Sequence, residues 1–209
     1  MPSIMYKSPV IYNLLIRIGR KSTLSQRYHK ISDEVGESKT VFELGCGTGL
    51  LYPFLDQSCD YIGWDLNQKF VEHCKKRGLK CFEKDIFDFE DYPENDTIIL
   101  CDVLHHLPRK SKLLVNEALK RTNKLIVVEP YEPYKTILPA LLFKIKDMLL
   151  GDNDGINEFE RRIKWEYSPK ALREYFMEFP ECTKTEKIGE DIFAVLERGK
   201  FKVTPKDTT

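Results

Sequence analysis

Acidic residues close successive apolar runs along this chain. Glu43 follows Val41-Phe42, Asp65 follows Tyr61 to Trp64, and Asp85 lies just beyond Leu79 to Phe82. Asp102 follows Thr97 to Cys101, and Glu129 ends the run from Lys124 to Val128. After Glu43 come three glycines at alternate positions, Gly45, Gly47 and Gly49, before a helical pattern begins. Glycine has no Cβ, so it can take positive φ and let a bulky ligand lie against bare backbone. A loop of this kind ordinarily suits phosphate, which the helix N-terminus attracts. Glu43 beside it would repel a pyrophosphate and attract a cofactor that carries positive charge.

Such acids need strands and helices to position them. Thr97 to Cys101 is a continuous apolar run, the mark of a buried parallel strand, and Lys124 to Pro130 supplies another strand. Val41 to Leu44, Tyr61 to Asp65 and Leu79 to Phe82 supply three more. Between them, Leu50, Tyr52, Phe54 and Leu55 predict a helix packed on the sheet. Asn67 to Arg77 predicts another, stopped by Gly78. Lys110 to Arg121 predicts a third, with Leu113, Leu114, Ala118 and Leu119 on its inner side. Strands alternating with helices imply a doubly wound parallel α/β sheet. Right-handed crossovers then put the strand C-terminal ends, and the acids on them, along one edge where a crevice opens.

The alternation breaks off over residues 131–167, which hold an apolar helix from Ile137 to Leu149, a polar loop from Gly151 to Gly155 and a charged segment from Glu158 to Lys164. Ser168-Pro169 predicts an N-cap with proline at the first helical position. That helix runs through Leu172 and Phe176, and two strands follow, Cys182 to Ile188 and Ile192 to Leu196. From Gly199 the tail is polar.

The segment E-L-G-C-G-T-G, Glu43 to Gly49, resembles the signature of class I S-adenosylmethionine (SAM)-dependent methyltransferases. The likeness is close from Lys39 to Pro130 and looser over the last two strands. It implies a Rossmann-like, doubly wound seven-stranded sheet, mostly parallel, with an antiparallel C-terminal hairpin. It also implies one domain over residues 1–198, with residues 1–38 and 131–167 covering the crevice as lids and residues 199–209 as a tail. Carried over by position, Gly45, Cys46, Gly47 and Gly49 would shape the loop under the methionine and ribose of SAM. Glu43 would meet the amino end through ordered water. Asp65 would accept both ribose hydroxyls, and Leu66 would lie on the adenine face. Asp85 would accept from the adenine amino group, with Ile86 supplying a backbone N–H. Cys101 and Asp102 would pass beside the sulfonium, and S-adenosylhomocysteine would be the product. A nicotinamide enzyme also carries an acid after its second strand. Its glycines run G-x-G-x-x-G after an apolar residue, whereas here G-x-G-x-G follows an acid.

Displacement at a sulfonium methyl is in-line, so alignment and exclusion of water come first. A base is needed only where the acceptor loses a proton. His105 and Glu129 are the catalytic candidates, with His106, Tyr131 and Tyr134 near them. The bland alternatives are that His105 packs against the sheet and that Glu129 caps a backbone donor. C-D-V-L at 101–104 stands where amino-group DNA and glutamine methyltransferases carry [ND]-P-P-[YF], and the proline–cysteine context of RNA cytosine enzymes is missing. A small-molecule or lipid-like acceptor remains, with no DNA partner expected. Ile11, Leu14, Leu15 and Ile18 share a helical face beside Arg17, Arg20 and Lys21. That face either buries on the domain or makes peripheral membrane contact. An RNA or protein methyltransferase, and a SAM-binding subunit without turnover, are the alternatives.

Bulk properties set the remaining bounds. A chain of 209 residues with 42% hydrophobic and 32% charged content fits one globular domain. Its 33 basic and 33 acidic residues cancel, which counts against a nucleic-acid binder. Six cysteines show no zinc-type spacing, and Asp152-Asn153-Asp154-Gly155 lacks the ligand ladder of a calcium loop, so no metal is expected. Unpatterned cysteines, the lack of a signal peptide and the lack of a membrane-length apolar run give a cytoplasmic expectation. Oligomeric state stays open.

Overall fold

Continuous apolar runs become the central strands. The computed structural model describes residues 3–19, 23–131 and 167–199. Five strands are parallel: β1 (Thr40–Leu44), β2 (Asp60–Asp65), β3 (Cys81–Glu83), β4 (Thr97–Cys101) and β5 (Lys124–Pro130). Two more, β6 (Cys182–Ile188) and β7 (Asp191–Glu197), form the antiparallel hairpin, with β7 pairing against β5. The order β3-β2-β1-β4-β5-β7-β6 makes one seven-stranded sheet, as the sequence implies.

Helices cover both faces. On one, Phe42, Leu44, Ile98, Leu100, Leu125 and Val127 pack against α5 (Ser111–Arg121) and α6 (Pro169–Met177). On the other, Val41, Ile99, Ile126 and Val128 meet α3 (Leu24–Val35) and α4 (Gln68–Lys76). Alternation along each strand sends neighbouring side chains to opposite layers. Local signals set the helix ends. Asn67 Oδ1 accepts from Lys69 N at 3.1 Å at the start of α4, and Ser168 Oγ accepts from Ala171 N at 3.1 Å at the start of α6. Two shorter N-terminal helices, α1 (Ile4–Lys7) and α2 (Pro9–Gly19), precede α3.

Two expectations change. The helix expected over Leu50 to Leu55 is only a single 3-10 turn, Tyr52–Phe54. Pro53 lacks the N–H that a longer helix needs. Leu51 and Leu55 are buried all the same, and α3 brings Tyr28, Ile31 and Val35 to the same layer. Within α5, Leu113 is 48% exposed, and Val115 is buried instead. Ser111, Leu114, Val115, Ala118 and Leu119 form the inner stripe at helical spacing, and Leu113 lies off it. The segments expected from Ile137 to Lys164 and the tail beyond Gly199 lie outside the described residues. No helix among the described residues is long and apolar enough to cross a membrane.

Candidate cofactor site

The glycine loop is fastened to β2. Gly45 N and Cys46 N both donate to Trp64 O, at 2.8 and 2.9 Å. Gly47 N donates to Asp65 Oδ2 at 2.8 Å, and Asn67 N donates to Asp65 Oδ1 at 2.7 Å. Asp65 is thus held by backbone on both oxygens. Burial pushes its pKa up to about 6 against the opposing pull of those two bonds. Gly45 has φ 71°, and a Cβ there would meet Val103 Cγ2 at 2.7 Å. Only glycine fits where the loop crosses the end of β4.

A cavity of about 360 Å³ opens over this loop. Gly45, Gly47 and Asp65 line its floor, and Leu66, Asp85 and Ile86 line one flank. Cys101, Asp102 and Val103 line the other. Tyr6 of α1 and Tyr12 of α2 roof it together with Phe70, the Tyr12 and Phe70 rings lying 4.8 Å apart. His106, Arg109 and Lys110 also border it. Eight of the cofactor residues expected from the sequence therefore share one cavity.

A small recess adjoins it, lined by Glu43, Cys46, Tyr12, Tyr28 and Asp102 among others. Glu43 is buried and accepts from Tyr61 OH at 2.5 Å. Desolvation pushes the Glu43 carboxyl up to about 8, with the Tyr61 bond opposing. A cationic group entering the recess would restore its charge. Gly49 borders neither space. Its φ of 68° turns the chain where a Cβ would meet Leu79 Cδ2 at 2.7 Å, so it shapes the loop from below.

The two catalytic candidates stand behind the wall. Glu129 is fully buried, and its Oε1 accepts from Val103 N and Leu104 N, both at 2.6 Å. His105 Nδ1 lies 2.8 Å from Glu129 Oε2. Glu129 thus caps the 3-10 turn Leu104–His106, and His105 is buried against it. Neither borders the cavity; His106, one residue on, does.

Arg27 was missed by reading the sequence. Its guanidinium is fully buried, with Nη2 2.7 Å from Asp102 Oδ2 and 2.6 Å from Cys101 Sγ, and Nη1 3.3 Å from Asp191 Oδ2. The signal was a cation adjoining the apolar stripe Tyr28, Ile31 and Val35 of α3. Thiols also gather under the loop: Cys46, Cys74 and Cys81 lie within 4.8 Å of one another, and Cys74 Sγ donates to Gly47 O at 3.5 Å. No fourth ligand-type side chain joins them among the described residues.

Comparison with known proteins accords with the geometry. Residues 42–125 match the family model of a methyltransferase domain. The sheet order is that of the Rossmann-like methyltransferase fold. The chain is 28% identical over 85 residues to the trans-aconitate 2-methyltransferase of Mycolicibacterium gilvum (strain PYR-GCK), a match covering 39% of the chain and 33% of that relative's length. Its fold is similar to the methyltransferase domain of bacterial CtHen1, with TM-score 0.61 and 17% identity over 84% of this chain and 100% of that one. It is also similar to the N-terminal domain of EvdMO1, solved with S-adenosylhomocysteine and D-fucose. There the TM-score is 0.54 at 14% identity, over 84% of this chain and 83% of that one.

Proposed function

We propose that this methyltransferase moves the methyl group of SAM to a small-molecule or lipid-like acceptor. The observation that carries the reading is the meeting of Asp65, Asp85 and Asp102 in one cavity, with buried Glu43 in the recess beside it. That donor set suits a cationic nucleoside and repels a pyrophosphate.

SAM supplies the chemistry, a methyl group activated on a sulfonium. The protein's work is to bind, orient and exclude water. Each Asp65 oxygen keeps acceptor capacity beyond its one backbone bond, enough for two adjacent ribose hydroxyls. Asp85 Oδ1 is fixed by Phe87 N at 2.9 Å, which turns the other oxygen's role toward the adenine amino group. Leu66 and Ile86 flank the base, and Gly45 and Gly47 let the ligand lie on backbone. Glu43 would hold the ammonium end, and Cys101 and Asp102 would border the sulfonium.

On the acceptor side, Tyr6 of α1 and Tyr12 of α2 present aromatic surface over the cavity. His106 replaces His105 as the imidazole placed to hold an acceptor proton, because His106 borders the cavity and His105 is committed to Glu129. The curated relative's name refers to trans-aconitate, and one structural neighbour was solved with D-fucose; both favour a small acceptor.

The test is transfer of radiolabelled methyl from SAM to a panel of carboxylic acids, sugars, phenols and vesicle-borne lipids, with RNA as a control. Labelled small-molecule or lipid product supports the reading. Label in RNA alone, or SAM binding without any product, overturns it.

A further inference from the structure

The N-terminal helices meet the cavity with one side only. The Tyr12 ring packs tilted against Phe70, and Asn13 Oδ1 accepts from Thr48 Oγ1 at 2.5 Å, which fastens that side of α2 to the glycine loop. On the other side Val10, Leu14 and Ile18 are 71%, 56% and 64% exposed. A spacing of four residues places them in one row along the helix. Isolated exposed aliphatic side chains are ordinary, but a row of them marks a contact surface.

Charge on this segment is one-sided. All 33 acidic residues of the chain lie from Asp33 onward, while Lys7, Arg17, Arg20, Lys21, Arg27 and Lys30 precede it. Arg27 is spent on the core. Arg17 is exposed and sits one residue before Ile18, and Lys69 Nζ rests on Lys7 O at 3.3 Å, which adds a cation near the start of α2. A row of aliphatic side chains flanked by cations fits the boundary between phospholipid headgroups and acyl chains. A nucleic-acid partner would pair with the cations but leave the row in water. A second copy of this chain would set cations against cations.

We propose that α2 docks the protein on a bilayer bearing anionic phospholipids, through Val10, Leu14 and Ile18 with Lys7 and Arg17 beside them. Tyr6 and Tyr12, on the same helix pair, then open the cavity beside the bilayer. The role of this docking rests on reading the acceptor as lipid-like; docking itself needs no turnover.

The experiment is co-sedimentation with vesicles of phosphatidylcholine containing about 30 mol% phosphatidylglycerol. The expected result is binding that falls roughly tenfold or more in pure phosphatidylcholine or high salt, and again in a Leu14→Glu/Ile18→Glu variant. The variant keeps wild-type affinity for S-adenosylhomocysteine, because neither position borders the cavity. Wild type that stays in the supernatant overturns the proposal, as does a double variant that sediments like wild type. Loss of a dimer in the variant without any vesicle binding assigns the row to a second copy and also overturns it. Since sedimentation reads no product, its failure and a failure of methyl transfer are separate results.

Discussion

Arg27 on α3 reaches Asp102 at the end of β4 with an Nη2–Oδ2 distance of 2.7 Å. The pair joins the N-terminal helices to the edge of the sheet where the cavity opens. Asp102 is also the one non-glycine residue with positive φ among the described residues, at 60°. Its backbone N donates to Val128 O at 2.9 Å. Aspartate is among the few non-glycine residues that adopt this conformation, and its surroundings here hold it there. Arg27 and β5 do so from two sides.

Removing Arg27 should therefore cost more than a surface charge would. Arg27→Met takes the guanidinium away from Asp102 and from buried Asp191. The expected loss is about 3–5 kcal/mol in urea denaturation, together with weaker cofactor binding. Arg27→Lys should recover only part of it, because one ammonium cannot serve Asp102, Asp191 and Cys101 at once. Unchanged stability in Arg27→Met would contradict this role.

Glu43 should make both stability and cofactor affinity depend on pH. Its folded pKa of about 8 lies above the ordinary 4.5, so the folded protein holds a proton that the unfolded chain has lost. Stability from this group is full below 4.5, declines as pH rises through the window to about 8, and then levels. Asp65, raised to about 6 from 3.8, adds the same sign at lower pH. Glu43→Gln should flatten the upper part of the decline by a few kcal/mol, on the order of the raised pKa. A ligand ammonium favours the charged carboxylate, so cofactor binding near pH 7 should release a proton and tighten between pH 6 and 8. Calorimetry in buffers of different ionisation enthalpy measures that release, which Glu43→Gln should abolish.

Glu129 and His106 should part company on substitution. Glu129→Ala strands the buried N–H groups of Val103 and Leu104, at an expected cost of about 2–4 kcal/mol in thermal or urea melts. His106→Ala should retain the fold and the affinity for S-adenosylhomocysteine while turnover slows roughly 10- to 100-fold on acceptors that lose a proton. A full-rate His106→Ala enzyme on such an acceptor would remove the imidazole from the chemistry.

Strands were the most legible part of the sequence, for a physical reason. Thr97 to Cys101 and Lys124 to Pro130 are buried on both faces, so burial writes a continuous apolar run that admits little else. The acids at their ends could be read with them, because a strand fixes where its last residue points. What sequence could not resolve was direction around a turn. His105 and His106 are adjacent, and only the capping of Leu104–His106 by Glu129 decides which ring borders the cavity. Arg27 was hidden because a basic residue beside a helical stripe ordinarily snorkels to water. Its partners, Asp102 and Asp191, lie 75 and 164 residues away in sequence. Around Pro53 the apolar pattern of Leu50 to Leu55 yields only a turn, because the pattern does not register the missing N–H.

Isothermal calorimetry of S-adenosylhomocysteine against the wild-type protein and Asp65→Ala tests the assignment of the cavity most directly. The expected result is saturable binding at a single site, lost by roughly 100-fold or more in Asp65→Ala, whose far-ultraviolet circular dichroism stays native. No binding to the folded wild-type protein, or equal affinity in the two, would contradict the cofactor site.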